Sequence, residues 1–422
     1  MFSKPIFKQS LKSNIKLWLI FTGVVCLLSG VIIAVFDPRM MANMVDALKD
    51  SSMANMVPKE QLDSMTSLLG MLSGSFYDMQ GILMPMIFII ITANSLVAAQ
   101  VDRGSMAYLL STPIKRVKVV VTQASYLITT VFAMFLVLTL SGLIAVQVFQ
   151  GGIISTAHTA DVKAIAKVLN VEKNEVAENL SLIMSDPALI KEGAIARELD
   201  EEVYIIYLTM KISGVSSVEG EESQETKNPE AEQQEKEFKE KLNKGFAAAA
   251  EVLNIKDIED YPYLVKKIKS NEAALNAAVE ASQMPKEVIM QSINMWLASD
   301  EVKLDEGINF SVPSFIKLNV GAFLLMFAIS GISFMFSCIF NLSKHSFALG
   351  AGIPIASFVF NIMSQASKSL EFFKYISLNT LFDTGAITSG GSFIIEFVAL
   401  AVIGIVFYTI GIKWFKEKDL PL

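Results

Sequence analysis

The side chains that could carry chemistry are few and far apart along the 422-residue chain. The two histidines are His158 and His345, and the topology argued below predicts them on opposite sides of a membrane. One chain therefore cannot form a two-histidine metal site or a shared triad from them. No Gly-Lys dipeptide occurs, and a Walker A phosphate loop needs that lysine to reach the phosphates. We predict a chain that is not an enzyme and has no catalytic residues, no metal site and no ATP site of its own.

Two polar residues within apolar runs are weak candidates for a substrate path, Glu396 and Asn361. Ionisable residues inside membrane spans are costly and often functional, which favours a role for Glu396. That residue also lies a few positions from the predicted outer end of its span, where interfacial water could solvate it. Asn361 fits hydrogen bonding between helices as well as ligand contact.

The composition places the chain in the membrane class, with 52% hydrophobic residues and a mean hydropathy of +0.48. Hydropathy predicts an all-α membrane protein with six spans that are 16 to 30 residues long, where ~20 residues are needed to cross a bilayer. The predicted spans are residues 17–36, 81–99, 119–148, 315–340, 347–362 and 392–415. The fifth is short and contains Gly350, Gly352 and Pro354, so we expect it to be broken and to face protein rather than lipid. Cys26 and Cys338 both lie in apolar runs, which argues against a disulfide framework.

The N-terminal residues 1–16 have lysines at every fourth position with apolar residues between them. This pattern predicts a basic amphipathic helix lying in the membrane interface. A cleaved signal peptide is the alternative, but the apolar run 17–36 exceeds the ~7–15 residues of a signal core.

Charge predicts the orientation of the chain. Twelve basic residues against three acidic ones fall on one predicted face: Lys4, Lys8, Lys12, Lys16, Arg103, Lys115, Arg116, Lys118, Lys344, Lys413, Lys416 and Lys418 against Asp102, Glu417 and Asp419. The positive-inside rule then puts both termini in the cytoplasm, in a plasma membrane, and residues 149–310 outside. Residues 151–310 contain 30 acidic and 17 basic residues, a net charge of −13. No basic surface with interleaved aromatic residues is present, which excludes nucleic acid as a partner.

The domain prediction is therefore a membrane part over 1–148, an extracytoplasmic helical insert over 149–310 and a second membrane part over 311–422. Within the insert, residues 213–240 are polar and charged and predict a flexible linker. The flanks of that linker resemble each other at offsets of 84 and 85, beginning with Ala164 to Val171 against Ala248 to Ile255. We interpret them as a duplicated helical unit, with chance similarity of Ala- and Leu-rich helices as the alternative.

The loop over residues 37–80 contains the sequence Met-Ala-Asn-Met-Val twice, at 41–45 and 53–57. Methionine can bind monovalent copper, but it also packs adaptably against apolar helices. We favour the packing role.

A short stretch between the second and third spans carries the clearest motif. Gly104 and Ser105 can open a helix, in which Met106, Leu109 and Leu110 share one face. Pro113 bars its continuation, and three cations follow within five residues. The pattern predicts a small amphipathic helix over about 103–113 at the cytoplasmic face, and an ordinary basic connector is the alternative.

This stretch resembles the cytoplasmic loop of ABC type-2 permeases, the membrane subunits of ATP-driven exporters. The resemblance rests on Arg-Gly-Ser at 103–105 and on Leu-Leu-Ser-Thr-Pro-Ile-Lys-Arg at 109–116, and it covers the membrane parts of the chain. It implies a coupling helix that docks on a separate P-loop ATPase, which would bind the ATP and magnesium. The residues implied in docking are Arg103, Gly104, Ser105, Leu109, Leu110, Pro113, Ile114, Lys115 and Arg116.

The resemblance further implies a homodimer or heterodimer of permeases in the lipid bilayer. Two other classes remain open from the residues. One is a non-transporting receptor or immunity protein whose external lobes bind a peptide or an envelope component. The other is a secondary transporter driven by an ion gradient.

Overall fold

The computed structural model describes residues 2–49, 66–111, 114–150, 159–214, 229–255, 261–308, 310–366 and 368–419. Helices account for all regular secondary structure in these ranges. The chain forms two compact units. Unit 1 combines Met1–Phe36, Lys59–Phe149 and Phe310–Leu422, and unit 2 combines Asp37–Pro58 with Gln150–Asn309.

Unit 1 contains six helices long and apolar enough to cross a membrane, which confirms the predicted number. We call them spans 1 to 6: Lys4–Val35, Leu68–Asp102, Arg116–Gln150, Val312–Ile339, Ser343–Gln365 and Ile394–Glu417. The shorter helices of this unit are Ser105–Leu110 and Thr384–Ser389, with 3-10 turns at Lys368–Tyr375 and Asn379–Leu381. A chain with these helices has the make-up of a multi-pass membrane protein.

Five of the six spans begin earlier than the sequence predicted, and spans 1 and 2 do so by 13 residues each. Span 1 is one continuous helix from Lys4, with no break between the basic segment 1–16 and the apolar run, because its one proline occupies the first turn. Span 2 starts at Leu68 rather than at residue 81, and its Leu72–Gln80 segment is a π-helix. Hydropathy marks the apolar centre of a helix and not its polar ends.

The hydrogen bonds of unit 1 define two ends of the helix bundle. At one end Ser3 N–H donates to Thr122 Oγ1 (3.0 Å), and Lys418 Nζ donates to the Cys338 carbonyl (3.0 Å). Ser3, Arg116, Lys418 and the start of span 5 lie at this end, with the Ser105–Leu110 helix beside them, and we call it the basic end. At the far end Thr384 Oγ1 donates to Asp78 Oδ1 (2.9 Å). Lys4, Arg116 and Lys418 thus belong to one end of the bundle, whereas Lys12 and Lys16 lie further along span 1, whose Trp18 donates to the Thr130 carbonyl in the middle of span 3.

Span 4 is the centre of unit 1. In its most apolar stretch 72% of the residues are buried, against 22% in spans 1 and 6. Its contact with span 6 depends on glycine, because a Cβ on Gly331 would lie 2.9 Å from the Gly404 carbonyl oxygen, and one on Gly404 would lie 2.4 Å from the Phe327 ring. Small residues allow backbones in membranes to approach this closely.

Span 5 is not broken, contrary to the expectation from Gly350, Gly352 and Pro354. Pro354 has no N–H, so it cannot bond the carbonyl of Gly350 four residues earlier. Ser333 of span 4 donates its hydroxyl to that carbonyl at 2.7 Å. The neighbouring helix thereby replaces the missing backbone bond, and span 5 continues as a helix facing protein at this point.

Unit 2 is built from ten helices in its described residues: Pro38–Lys49, Ala160–Leu169, Lys173–Glu178, Ser181–Met184, Pro187–Ala196, Glu201–Ser213, Pro229–Leu253, Tyr261–Ser270, Glu272–Ser282 and Lys286–Ile308. Residues 159–214 form lobe 1 and residues 229–282 form lobe 2, each with its own apolar core. The helix Lys286–Ile308, here called the shared helix, contributes Ile289 and Ile293 to the core of lobe 2. It contributes Ala298 and Val302 to the core of lobe 1.

The backbone landmarks of the two lobes repeat at the same offsets as the sequence. Asn170 and Asn254 end helices in the left-handed conformation, with φ of 53° and 56°. Glu198 and Gln283 adopt that conformation with φ of 55° at an offset of 85. The N-caps Asp186 and Asn271 also lie 85 apart, and each side chain accepts bonds from the first helical N–H groups. These coincidences favour duplication over chance similarity.

The predicted linker over 213–240 is partly wrong. Residues 229–240 belong to the helix Pro229–Leu253, which starts with proline in a position suited to a first helical turn. Lys241 pairs with Glu237 four residues earlier at 2.8 Å, and the C-terminal half of the helix packs into lobe 2. The polar composition of residues 229–240 did not indicate a helix, because this helix is held in place by the packing of its C-terminal half in lobe 2. The central residues 215–228 lie outside the described part of the chain.

The loop between spans 1 and 2 contributes a helix, Pro38–Lys49, to unit 2 rather than to the membrane part. Asp46 Oδ2 accepts from Lys266 Nζ at 3.2 Å, and the same ammonium lies 3.4 Å from Asp300 Oδ2. The first Met-Ala-Asn-Met-Val copy, at 41–45, lies on this helix. The second copy, at 53–57, falls outside the described residues.

Removing the Ser333 hydroxyl tests how span 5 is held together. We expect Ser333→Ala to lower the free energy of unfolding by about 1–3 kcal/mol, because the Gly350 carbonyl would be left buried and unpaired. Thermal unfolding of the purified protein in detergent would measure the loss. Ser364→Ala is the matched control, since that hydroxyl bonds only the nearby Asn361 carbonyl of its own helix. Equal melting temperatures for both variants would contradict the role of Ser333.

Candidate functional site

The motif between spans 2 and 3 forms a turn followed by a short helix. Gly104 has φ of +73°, a left-handed conformation that glycine adopts without strain. Ser105 Oγ donates back to the Gln100 carbonyl at 3.1 Å, which closes the turn. The helix runs over Ser105–Leu110, shorter than the 103–113 expected, and Ser111 caps its end. Pro113 lies outside the described residues.

The side of this helix that faces outward is not the face on which the sequence grouped Met106, Leu109 and Leu110. Met106 is 1% exposed and packs inward, while Leu109 and Leu110 are half-buried. The most exposed side chain is Tyr108, at 83%. The sequence grouped the three apolar residues on one face but did not single out the tyrosine. Its position two residues after the buried Met106, on the other side of the helix, was the available signal.

The flanking cations do not all have the same role. Arg103 and Lys115 are exposed and Ile114 is half-buried beside them. Arg116 Nη1 donates to the Lys418 carbonyl at 3.0 Å, so this guanidinium ties the start of span 3 to the chain that follows span 6. Arg116 therefore already has an intrachain partner, in addition to the docking role that the resemblance implies.

The short helix is connected to other spans through hydrogen bonds on its N-terminal side. Asp102 Oδ2 accepts from the Ser343 N–H at 3.2 Å, at the first residue of span 5. Asn94 Nδ2 donates to Ser343 Oγ at 2.7 Å, and the Ala98 N–H donates to Ser337 Oγ at 2.9 Å. A displacement of the helix would thus reach spans 4 and 5 through a few polar contacts.

The two candidates for a substrate path lie on different helices. Asn361 is 9% exposed in span 5, and its carbonyl accepts from Ser364. Glu396 lies in the first turn of span 6, and its Oε2 is buried with no hydrogen-bond partner. Within the described residues no hydrogen bond joins the two side chains, so the structure does not bring them together as one site.

Lobe 1 contains a buried ionic network that the sequence did not reveal. Arg197, 2% exposed, lies 3.0 Å from Asp161, 3.3 Å from Glu301 and 3.0 Å from Asp305. The Tyr207 hydroxyl accepts from Arg197 Nη2 and donates to Asp305 Oδ2, both at 2.6 Å. Each of the three carboxylates lies within 3.3 Å of the guanidinium, although Arg197 Nε makes no hydrogen bond, and this charge pairing assigns the network to structure rather than to catalysis.

Charge pairing lowers the pKa of Asp305 in this network. Burial would raise the pKa of Asp305, but the positive charges of Arg197 and Lys211 outweigh it and hold that pKa below its usual range. A carboxyl whose folded pKa is depressed contributes stability above its unfolded pKa, about 3.9. That contribution is lost as the pH falls through the folded pKa.

Truncating the arginine should unfold lobe 1 selectively. We expect Arg197→Ala to destabilise the lobe by about 3–5 kcal/mol, because three buried carboxylates lose their main counter-charge. Hydrogen exchange of the full chain in detergent would show faster exchange in Glu201–Ser213, with Glu272–Ser282 of lobe 2 as an internal reference. Lys191→Ala, which removes an exposed cation from the same lobe, is the matched control. Unchanged protection in the arginine variant would contradict the structural role.

Lowering the pH should also destabilise lobe 1. Below about pH 4 we expect amides of lobe 1 to lose protection as Asp305 is protonated, and Asp305→Asn should flatten that dependence while lowering protection at neutral pH. The measurement is hydrogen exchange across pH 3 to 7 with correction for intrinsic rates. A wild-type profile identical to that of Asp305→Asn would show that the carboxylate does not control acid stability.

The basic end of unit 1 thus presents one short helix with an exposed aromatic side chain and exposed cations, anchored to spans 2, 4 and 5. No family model, no curated protein and no solved structure matches this chain. The site is therefore defined by its geometry and by the motif at 103–116.

Proposed function

We propose that this chain is the permease subunit of an ATP-driven exporter, with ATP bound and hydrolysed by separate P-loop ATPase subunits. The observation that carries the proposal is the Ser105–Leu110 helix, which holds Tyr108 83% exposed at the basic end of unit 1. Exposed aromatic side chains surrounded by apolar and basic groups are typical anchors of protein interfaces. Arg103 and Lys115, exposed on either side, supply charges for the rim of such an interface.

The proposed orientation follows from charge. Because basic connections stay in the cytoplasm, the basic end and both termini are assigned to the cytoplasmic side of the plasma membrane. The two segments of unit 2 enter the chain after span 1 and after span 3, which are odd-numbered crossings. Both segments would then lie outside, on the same side, as one folded unit requires.

Transport would be coupled by a shift in a conformational equilibrium. ATP can favour one state only by binding that state more tightly, and the docked helix would transmit the difference to the spans. The bonds from Asp102 and Asn94 to Ser343 offer a direct connection from this helix to span 5. Two permease chains, identical or related, would work with two ATPases.

Substitution of the exposed tyrosine tests the docking surface. We expect Tyr108→Asp and Leu110→Asp to reduce the co-purifying ATPase at least about tenfold, since loss of one buried aromatic anchor costs 2 kcal/mol or more. The measurement is gentle detergent purification from the native membrane, followed by mass spectrometry and an ATPase assay. Tyr108 cannot contribute much to folding because it is largely exposed.

Tyr375→Asp is the matched control. Tyr375 is 89% exposed and lies between spans 5 and 6, away from the basic end. Equal loss of ATPase from both tyrosine variants would indicate a general defect and not a docking surface. A clean preparation with no ATPase under conditions that preserve known complexes would favour the receptor or immunity class.

A further inference from the structure

A groove runs along unit 2 between the helix Glu201–Ser213 and the shared helix Lys286–Ile308. Its volume is about 450 Å³, within the range of pockets that hold small ligands or a few peptide residues. The residues that line it are Glu202, Ile206, Lys286, Glu287, Met290, Gln291 and Asn294.

The two helices are the equivalent helices of the duplicated unit, since their first residues lie 85 apart. They run side by side in the same direction, because Glu202 contacts Asn294 and, further along both helices, Lys211 contacts Asp305. Glu202 and Glu287 occupy equivalent positions of the two repeats. Glu287 lies seven residues before Asn294, so the two carboxylates are separated by about 10 Å along the helix axis.

One of these carboxylates is held in place by a buried side chain. Asn294, 4% exposed, donates Nδ2 to Glu202 Oε2 at 3.1 Å and accepts from Lys269 Nζ at 2.9 Å. Glu202 is therefore oriented before any ligand arrives. Met290 is half-buried between the two charged positions, and Ile206 is half-buried one helical turn beyond Glu202; both give the groove an apolar floor.

The negative charge around the groove favours a positively charged ligand. Residues 151–310 have a net charge of −13, and the groove itself has two glutamates against Lys286. Such a field attracts cations and repels anions. A peptide in the polyproline II conformation advances about 3.1 Å per residue with three residues per turn, so side chains three positions apart lie on one side of it, about 9 Å apart.

We propose that this groove binds a peptide segment in the polyproline II conformation with two basic side chains three residues apart and apolar residues between them. The basic side chains pair with Glu202 and Glu287, and the apolar residues contact Met290. The inference does not depend on an ATPase partner. It assigns the groove to peptide recognition, whether the chain transports that peptide or senses it.

The test uses full-length protein in detergent and a fluorescein-labelled Arg-Leu-Leu-Arg peptide with blocked termini. Fluorescence anisotropy should show binding, with Glu202→Gln and Glu287→Gln each weakening the affinity about tenfold through loss of a charge-assisted hydrogen bond. The matched controls are Glu192→Gln and Glu251→Gln, which remove exposed carboxylates from lobe 1 and lobe 2 outside the groove. These controls should change the affinity less than about twofold.

The peptide series tests the remaining parts of the proposal. Arg-Gly-Gly-Arg should bind more weakly than Arg-Leu-Leu-Arg because it lacks the apolar contacts, and Glu-Leu-Leu-Glu should not bind. Equal losses in groove and control variants would reduce the interaction to general charge attraction and overturn the site. Binding of spermidine as tightly as Arg-Leu-Leu-Arg would overturn the assignment to a peptide. Because the glutamates are exposed, the glutamine variants test the groove without disturbing the cores.

Discussion

The close approach of spans 4 and 6 is the constraint on which the membrane unit depends. The Gly331 position lies against the Gly404 backbone, and a Cβ at Gly404 would meet the Phe327 ring, so a larger residue at either position would require the backbone or that ring to move. Span 4 can be buried on most of its surface only because this contact and the Ser333 bond to span 5 bring its neighbours close. The position of span 5 in turn fixes Ser343, whose N–H donates to Asp102, just before the Ser105–Leu110 helix.

The sequence predicted what hydropathy and charge control directly. Six spans follow from apolar runs, and the basic end follows from the distribution of lysine and arginine. Features that depend on a distant partner were missed or misread. Span 5 was expected to break because the hydroxyl that replaces its missing bond comes from span 4, and residues 229–240 were expected to be flexible because their anchor lies in lobe 2. In the Ser105–Leu110 helix, Tyr108 could not be distinguished until the burial of Met106 showed which side of the helix faces outward.

The two lobes share a backbone design but differ in how their interiors are stabilised. Arg197 and Asp161 of lobe 1 correspond by offset to Ser282 and Gly245 of lobe 2. Lobe 1 thus has an ionic network where lobe 2 has small side chains, and a Cβ on Gly245 would lie 2.7 Å from the Ala278 carbonyl oxygen. A duplicated framework tolerates such divergence because helix ends and caps set the fold, while each core requires only internal complementarity. The groove between the Glu201–Ser213 helix and the shared helix is lined by equivalent positions of both repeats, among them Glu202 and Glu287.

The ion pair between Asp46 and Lys266 has a consequence for how the protein is made. The two residues are 220 positions apart, and spans 2 and 3 are synthesised between them. At about 5–20 residues per second, the helix Pro38–Lys49 leaves the ribosome roughly 10–40 s before its partner exists. During that interval an amphipathic, methionine-rich helix has no place to pack. The helix Pro38–Lys49 can therefore join unit 2 only after spans 2 and 3 have been synthesised.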